Sequence, residues 1–293
     1  MEIVTPGRAS YPQLEALQLA RLPRTERRAA RSLFAVEQTW DYRNFRAAHV
    51  DGELAGWGFT ARPTIFPGDW AILAVYVAAR HEGAGIGTAL RGELQTTLPE
   101  SAATLAALVD DAETQSLEVA RHWGYEVHQH AIHSRLDLVD LPEPDLPEGV
   151  TVEDASALDF PDEEAVGEML ADSQTNPEAA MGIRSDLRNA RLELQECTQP
   201  FAMLARVHGE PAAIITGEIQ EGVLLIFYTG VGRRSRGRNL GFLLKQAAHL
   251  EAAARGATSS YTTNEEQNGG IRHVNARLGY RVVSGDYRVS RTR

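Results

Sequence analysis

Apolar residues recur along the chain with two periods, and the switch between them marks its elements. Ala71-Ile72-Leu73-Ala74-Val75-Tyr76-Val77 is a short run dense in apolar and β-branched residues, the pattern of a buried strand. After it come the glycines of Glu82-Gly83-Ala84-Gly85-Ile86-Gly87. Ile86, Leu90, Leu94 and Leu98 then fall at a spacing of four, one face of a helix. The same order returns later. Val223–Val231 is apolar and β-branched, Arg236-Gly237-Arg238-Asn239-Leu240-Gly241 follows, and Leu240, Leu243, Leu244, Ala247 and Leu250 predict a helix that stops at Gly256.

The register of these features predicts a duplication. Val77 and Val231, Gly83 and Gly237, and Gly87 and Gly241 are each separated by 154 positions. Trp123-Gly124-Tyr125 answers Leu278-Gly279-Tyr280 at an offset of 155, and the hairpin turns expected at Asp51-Gly52 and His208-Gly209 are 157 apart. Four features in order near one offset are the mark of a repeat. Between the halves lies Leu141-Pro142-Glu143-Pro144-Asp145-Leu146-Pro147-Glu148-Gly149, whose three prolines predict an extended linker. The expected division is therefore residues 1–140, a linker at 141–149, and residues 150–293.

Each half reads as a short strand, one or two helices, a three-strand meander, the glycine loop, a helix, a strand, a helix and a closing hairpin. The early helices are expected at Tyr11–Arg21 and Thr25–Gln38, then at Asp162–Ser173 and Asp186–Cys197. The fold class is α+β: two tandem domains, each a mixed, mostly antiparallel twisted sheet flanked by helices.

Composition narrows the function. Of 293 residues, 43% are hydrophobic and 24% charged, as in a water-soluble globular protein. No stretch approaches the roughly 20 apolar residues of a membrane span, and Met1–Arg8 leads into no apolar signal segment. Cys197 is the sole cysteine, so no internal disulfide is possible, and the cytoplasm is the expected location. A net charge of −11 argues against nucleic acid as a partner. It suits a cationic amine acceptor, or simply keeps the chain soluble.

A strand that enters a glycine-rich turn and then a helix is an anion site. Backbone N–H groups of the turn and the first helical turn point at the guest, and glycine admits positive φ. The alternative is a tight turn without a ligand; two such loops in equivalent places favour binding. The second loop adds Arg233, Arg234, Arg236 and Arg238, either a solvated charged turn or a phosphate-binding cluster.

On these residues the chain resembles the GNAT superfamily of acyl-CoA-dependent N-acetyltransferases, as a tandem two-domain member. That family's hallmark, Gln/Arg-x-x-Gly-x-Gly/Ala, holds the coenzyme A pyrophosphate. The first half keeps Gly85 and Gly87 but has Glu82 in the Gln/Arg position, with Arg80 and His81 nearby. The second half keeps Arg236 and has Asn239, a residue tolerant of left-handed backbone, in place of a glycine. The resemblance implies acetyl-CoA as co-substrate. Its contacts would come from Val231, Arg236, Gly237, Arg238, Asn239, Leu240, Gly241, Asn264 and Asn268 in the second half. Val77, Gly83, Gly85, Ile86, Gly87 and Thr88 would serve in the first. Asn268 is also a helix N-cap candidate. Asp110 and Thr114 stand near the Asn264 and Asn268 positions in the first half, which makes the second the better candidate active site.

The reaction implied is direct transfer of an acetyl group to a primary amine of a small molecule or peptide. A backbone N–H near Val231 or Val77 would polarise the thioester carbonyl. Glu218 and Tyr228 are the candidate general bases, each of which reads equally as a surface carboxylate or a core tyrosine. Many members carry a tyrosine acid where this chain has Ala120 and Asn275. A thiol of pKa about 8.5 leaves without one.

His128, His130 and His133 resemble a ligand set, but no Cys, Asp or Glu completes it and no metal is expected. Trp57, Phe59, Trp70 and Tyr76 read as core. Two alternatives stand beside the enzyme reading. One is an acyl-CoA-binding regulatory or structural protein. The other is a dinucleotide-binding oxidoreductase, from Gly83-Ala84-Gly85 followed by Asp110-Asp111, with Thr88 against it at the third glycine position. The acceptor has no motif, and either a monomer or a homodimer fits the tandem arrangement.

Overall fold

The computed structural model describes residues 1–21, 33–34, 40–64, 66–174 and 186–293. The helix expected at Thr25–Gln38 lies, apart from Leu33 and Phe34, outside them. The chain forms two compact units, Met1–Gln129 with Asp286–Arg293, and His130–Gly285.

In the first unit, β1 (Glu2–Val4), β2 (Trp40–Val50), β3 (Glu53–Pro63) and β4 (Trp70–Val77) form an antiparallel meander behind α1 (Tyr11–Arg21). After β4 come the glycine loop, α2 (Ile86–Gln95), β5 (Thr104–Asp110) and α3 (Thr114–His122). β5 is parallel to β4 and is flanked by the end of β12 (Arg281–Thr292), where Asp286 pairs with Asp110 and Thr292 with Thr104. The core is aromatic. Tyr11, Phe34, Phe45, Trp57, Phe59 and Tyr76 sit with ring centroids 5.0–6.5 Å apart, and Trp57 is wholly buried. The helix expected to reach Leu98 stops at Gln95, because Thr96 and Thr97 turn their hydroxyls onto the Glu93 and Leu94 carbonyls.

The second unit begins within β6 (Glu126–Asp137) and contains β7 (Val150–Asp154), α4 (Glu163–Ser173) and α5 (Leu187–Gln195). It continues through β8 (Pro200–Val207), β9 (Glu210–Gln220), β10 (Val223–Val231), α6 (Leu240–Ala254), β11 (Ser259–Glu265) and α7 (Gly269–Leu278). β7 to β10 repeat the meander, β11 is parallel to β10, and β6 flanks β11 with Glu265 opposite Ala131. Its core is mostly aliphatic, with Ile215, Leu224 and Leu244 around Phe201 on the α6 face. Leu170, Leu187 and Ile214 centre the other face.

The expected closing hairpins do not form. Each half ends in one long strand, and that strand lies in the sheet built from the other half's elements. The compact units therefore change over at 129/130 and 285/286, whereas the sequence repeat divides at 141–149. Both expected hairpin turns are present. Asp51 and Gly52 have φ of 52° and 82°, and His208 and Gly209 have 50° and 86°, the left-handed pairs of a two-residue turn.

Candidate active site

Both units split their sheet at the same place. β4 pairs with β5 only from Trp70/Thr104 to Ile72/Ala106, and β10 with β11 only from Val223/Ser259 to Ile226/Thr262. Beyond those points the strands part. Groups in an antiparallel ladder alternate between the two sides of a strand. The Ala78 amide donates to Ala55 O and the Gly232 amide to Ala212 O, so the preceding residues, Val77 and Val231, turn their backbone groups into the opening. Of the two parting strands β4 and β10, the pairing of β10 with its meander neighbour carries a bulge, between Ile226 and Tyr228, and that of β4 does not. A bulge bends the strand and re-aims its neighbours.

The glycine loops share one backbone. Gly83 and Gly237 have φ of 73° and 76°, and Gly85 and Asn239 have 79° and 59°. Each loop ends on a helix whose first turn is uncapped by any side chain, at Ile86 and Leu240. Gly87, Thr88 and Gly241 fall in those first turns.

Their charges differ. Glu82 is ion-paired with Arg21 at 2.6 Å, which neutralises the carboxylate beside the first loop. In the second loop the Arg236 side chain donates to Val231 O at 3.3 Å and Ser173 O at 3.1 Å, tying the loop to the end of β10. Arg233 pairs with Asp172. Arg277 donates to Asn239 Oδ1 at 2.9 Å and lies over Phe242. Arg234 and Arg238 are exposed and have no ion pair among the described residues.

In the first unit a cavity of about 410 Å³ fills the opening. It runs from the loop between β4, β5 and α3, and Asp110, Glu113, Trp123 and Val77 line it. In the second unit a buried polar chain leads to the corresponding place. Lys245 Nζ donates to Asn275 Oδ1 at 2.7 Å, and Asn275 Nδ2 donates to Asn264 Oδ1 at 2.6 Å. Lys245 is fully buried, and burial pushes its amine down to about 7. Beside it, His249 Nε2 meets the Tyr280 hydroxyl, which also meets Ser260 Oγ. Burial first, and then Lys245, push His249 down to about 3. Asn268 caps α7, its Oδ1 accepting from the Ile271 amide at 3.5 Å.

Glu218 is a buried carboxylate on β9 opposite Leu225, not a surface one. Tyr228 stands just after the bulge, with its hydroxyl against Ser173 Oγ. Two groupings are invisible to the sequence reading. Lys245 lies one residue past the apolar face of α6 and reads as solvated, yet is enclosed. His133 meets the Tyr261 hydroxyl on the β6–β11 ladder, because β6 belongs to the second unit's sheet. His130 meets Glu266. Among the described residues no three His, Cys, Asp or Glu side chains are disposed to hold a metal, and no helix is long and apolar enough to cross a membrane.

Comparison with known proteins finds a family match to part of the chain and a shared fold over all of it. Residues 13–125 match the Acetyltransferase (GNAT) family. Among solved structures, a GCN5-related N-acetyltransferase from Sphaerobacter thermophilus is similar with a TM-score of 0.78 and 20% identity, over 99% of this chain and 95% of that one. A tandem GNAT protein from the clavulanic acid biosynthesis pathway is similar with a TM-score of 0.75 and 20% identity, over 99% and 98%. A glucosamine N-acetyltransferase region of a fungal β-N-acetylglucosaminidase has a TM-score of 0.74 and 16% identity, over 99% of this chain and 38% of that one. No curated protein sequence matches the chain. Residues 13–125 thus match the Acetyltransferase (GNAT) family, and the chain as a whole has the fold of the tandem GNAT protein to which it is similar.

Proposed function

We propose that the protein transfers an acetyl group from acetyl-CoA to a primary amine of a small molecule or peptide, and that the second unit is the active one. The observation that carries this is the end of β10. There a bulged strand turns the Val231 backbone into the opening, just before an anion loop with Arg233, Arg234, Arg236, Arg238 and Arg277 about it. Gly237, Asn239, Leu240 and Gly241 offer amides to a pyrophosphate, and Arg234 and Arg238 reach outward to phosphate oxygens. Asn264 faces the pantetheine arm.

In this reading bound acetyl-CoA supplies a thioester, and the chain's own groups orient it. The Val231 amide donates to the thioester oxygen as charge builds there. The acceptor ammonium gives up a proton before attack, to Glu218 or to Tyr228. The amine nitrogen bonds to the acetyl carbon, the carbon–sulfur bond breaks, the thiolate leaves unassisted, Asn275 having no acidic proton to give, and the second proton of the amine passes to solvent or to the departed thiolate. A cytoplasmic monomer or homodimer suits this chemistry.

A second reading puts acyl-CoA in the first unit, favoured by the open cavity of about 410 Å³ and by the family match. Against it stand Asp110 and Glu113, two carboxylates that line the site for a polyanion besides Glu82, which Arg21 pairs.

Calorimetric titration with acetyl-CoA separates the readings. One site lost in an Arg234→Ala/Arg238→Ala variant supports the second unit. One site indifferent to that variant and lost in Gly85→Val assigns the first. No binding at all removes the enzyme reading.

A further inference from the structure

The chain from Lys245 to Asn264 has a direction. As an ammonium Lys245 can only donate, as a neutral amine it keeps two N–H bonds beside one lone pair, and in this structure it donates to Asn275. Asn275 answers with Oδ1, which turns its NH2 the other way. Asn264 must then receive that NH2 with its own Oδ1. What remains is the Asn264 NH2, which has no partner among the described residues, on a half-buried side chain beside the opening between β10 and β11. Without the buried amine either amide could flip at little cost, and Asn264 would present a donor or an acceptor indifferently.

We infer that Lys245 is a positioning residue that sets, through Asn275, the face Asn264 shows to the second unit's opening, so that the site recognises an amide carbonyl of the pantetheine arm. The inference rests on the proposal that this unit binds acyl-CoA. The first unit lacks the device: Arg91, Ala120 and Asp110 stand at the corresponding positions, and Arg91 lies over Trp123 instead. Asp110 accepts from the Ala112 amide and its carboxylate carries no N–H, so the first opening lacks the amide donor that Asn264 provides.

The test compares coenzyme A with adenosine 3′,5′-bisphosphate, which keeps the 3′-phosphate and one phosphate of the pyrophosphate but lacks the pantetheine arm. Lys245→Met keeps the buried volume and removes the donor. It should weaken coenzyme A about tenfold and leave the bisphosphate within twofold. Asn275→Asp keeps a partner for Lys245 but cannot donate to Asn264, and should give the same split. A merely structural loss would weaken both ligands together, which overturns the inference, as does an unchanged coenzyme A affinity in a folded Lys245→Met protein. If Lys245→Met fails to fold, Asn275→Asp decides by the same criterion. The Arg234→Ala/Arg238→Ala variant keeps the two questions apart. Should it leave coenzyme A binding unchanged, the second-unit reading has failed. Should it weaken binding while Lys245→Met and Asn275→Asp do not, only the role of Lys245 has.

Discussion

The two glycine loops have the same backbone and different surroundings. Gly83 and Gly237 agree within a few degrees of φ, and Gly85 and Asn239 both sit in the left-handed region. Around that shared turn the first unit places Glu82, Asp110 and Glu113 beside an open cavity. The second places arginines outside and a lysine–asparagine chain within. The comparison teaches that loop geometry is set by a few residues near the turn, whereas ligand preference is set by side chains that the turn does not constrain. A repeated fold can therefore keep the backbone of a turn twice while the side chains around it diverge.

The largest test concerns what counts as a unit. A fragment of residues 1–140 holds the whole first repeat but not Asp286–Thr292, the strand that flanks β5. It leaves seven ladder positions of β5 unpaired and removes Val289, 2% exposed, and Tyr287 from the core. Burial of Val289 alone stabilises by about 1.5–3 kcal/mol. The fragment should fail to fold cooperatively, by amide dispersion in NMR and by its melting curve. A well-dispersed spectrum would show that the exchanged strand is dispensable.

Next in size is a pH effect confined to the second unit. Lys245 titrates near 7 when folded, against 10.5 when unfolded. Between those values the unfolded chain binds the extra proton. Stability therefore rises as pH climbs through that window and is lost as pH falls toward 7, by no more than about 5 kcal/mol. Urea unfolding at pH 7, 8 and 9 should show the rise in the wild type and a flatter profile in Lys245→Met. Equal slopes would mean that the buried amine is more solvated than its surroundings indicate.

Much of this comparison is legible in the sequence, for local reasons. Val223–Val231, the turn at His208-Gly209 and Gly256 past α6 each follow from residues a few positions apart. The exchange of closing strands is not legible, because Glu126–Asp137 has one alternation whichever sheet it joins. Neither is Lys245. On α6 the expected stripe is buried at Leu240, Leu243 and Leu244 but only half-buried at Ala247 and Leu250, while Ala248, Ala252, Lys245 and His249 are buried besides, and Asn275 of α7 and Tyr280 just after it supply the partners of the last two. The meeting of His133 with Tyr261 depends on the exchange and is hidden with it.

A smaller effect separates the loops by charge. Removing Arg234 and Arg238 together should weaken acetyl-CoA about tenfold, consistent with roughly 1.4 kcal/mol. Glu82→Gln in the first unit should change it less than twofold by the same titration. A larger gain from Glu82→Gln would move the cofactor to the first unit.

The smallest effect tests whether the two turns are interchangeable. At Gly85 an added Cβ would meet nothing within 4 Å, so any cost of substitution there comes from the backbone at φ 79° alone. Left-handed backbone costs an ordinary L-residue about 1–2 kcal/mol, and asparagine less. Gly85→Asn should thus lose under about 1 kcal/mol, and Gly85→Val more. Asn239→Gly relieves the backbone but gives up the bond from Arg277 to Asn239 Oδ1, an exposed contact. Those two terms nearly cancel, within about 0.5 kcal/mol. Melting temperatures resolve the series, since about 1 kcal/mol moves a domain of this size by a few degrees. A Gly85→Asn protein as unstable as Gly85→Val would mean that the first loop needs glycine for more than its φ, and the shared backbone would then be a weaker sign of shared descent in function.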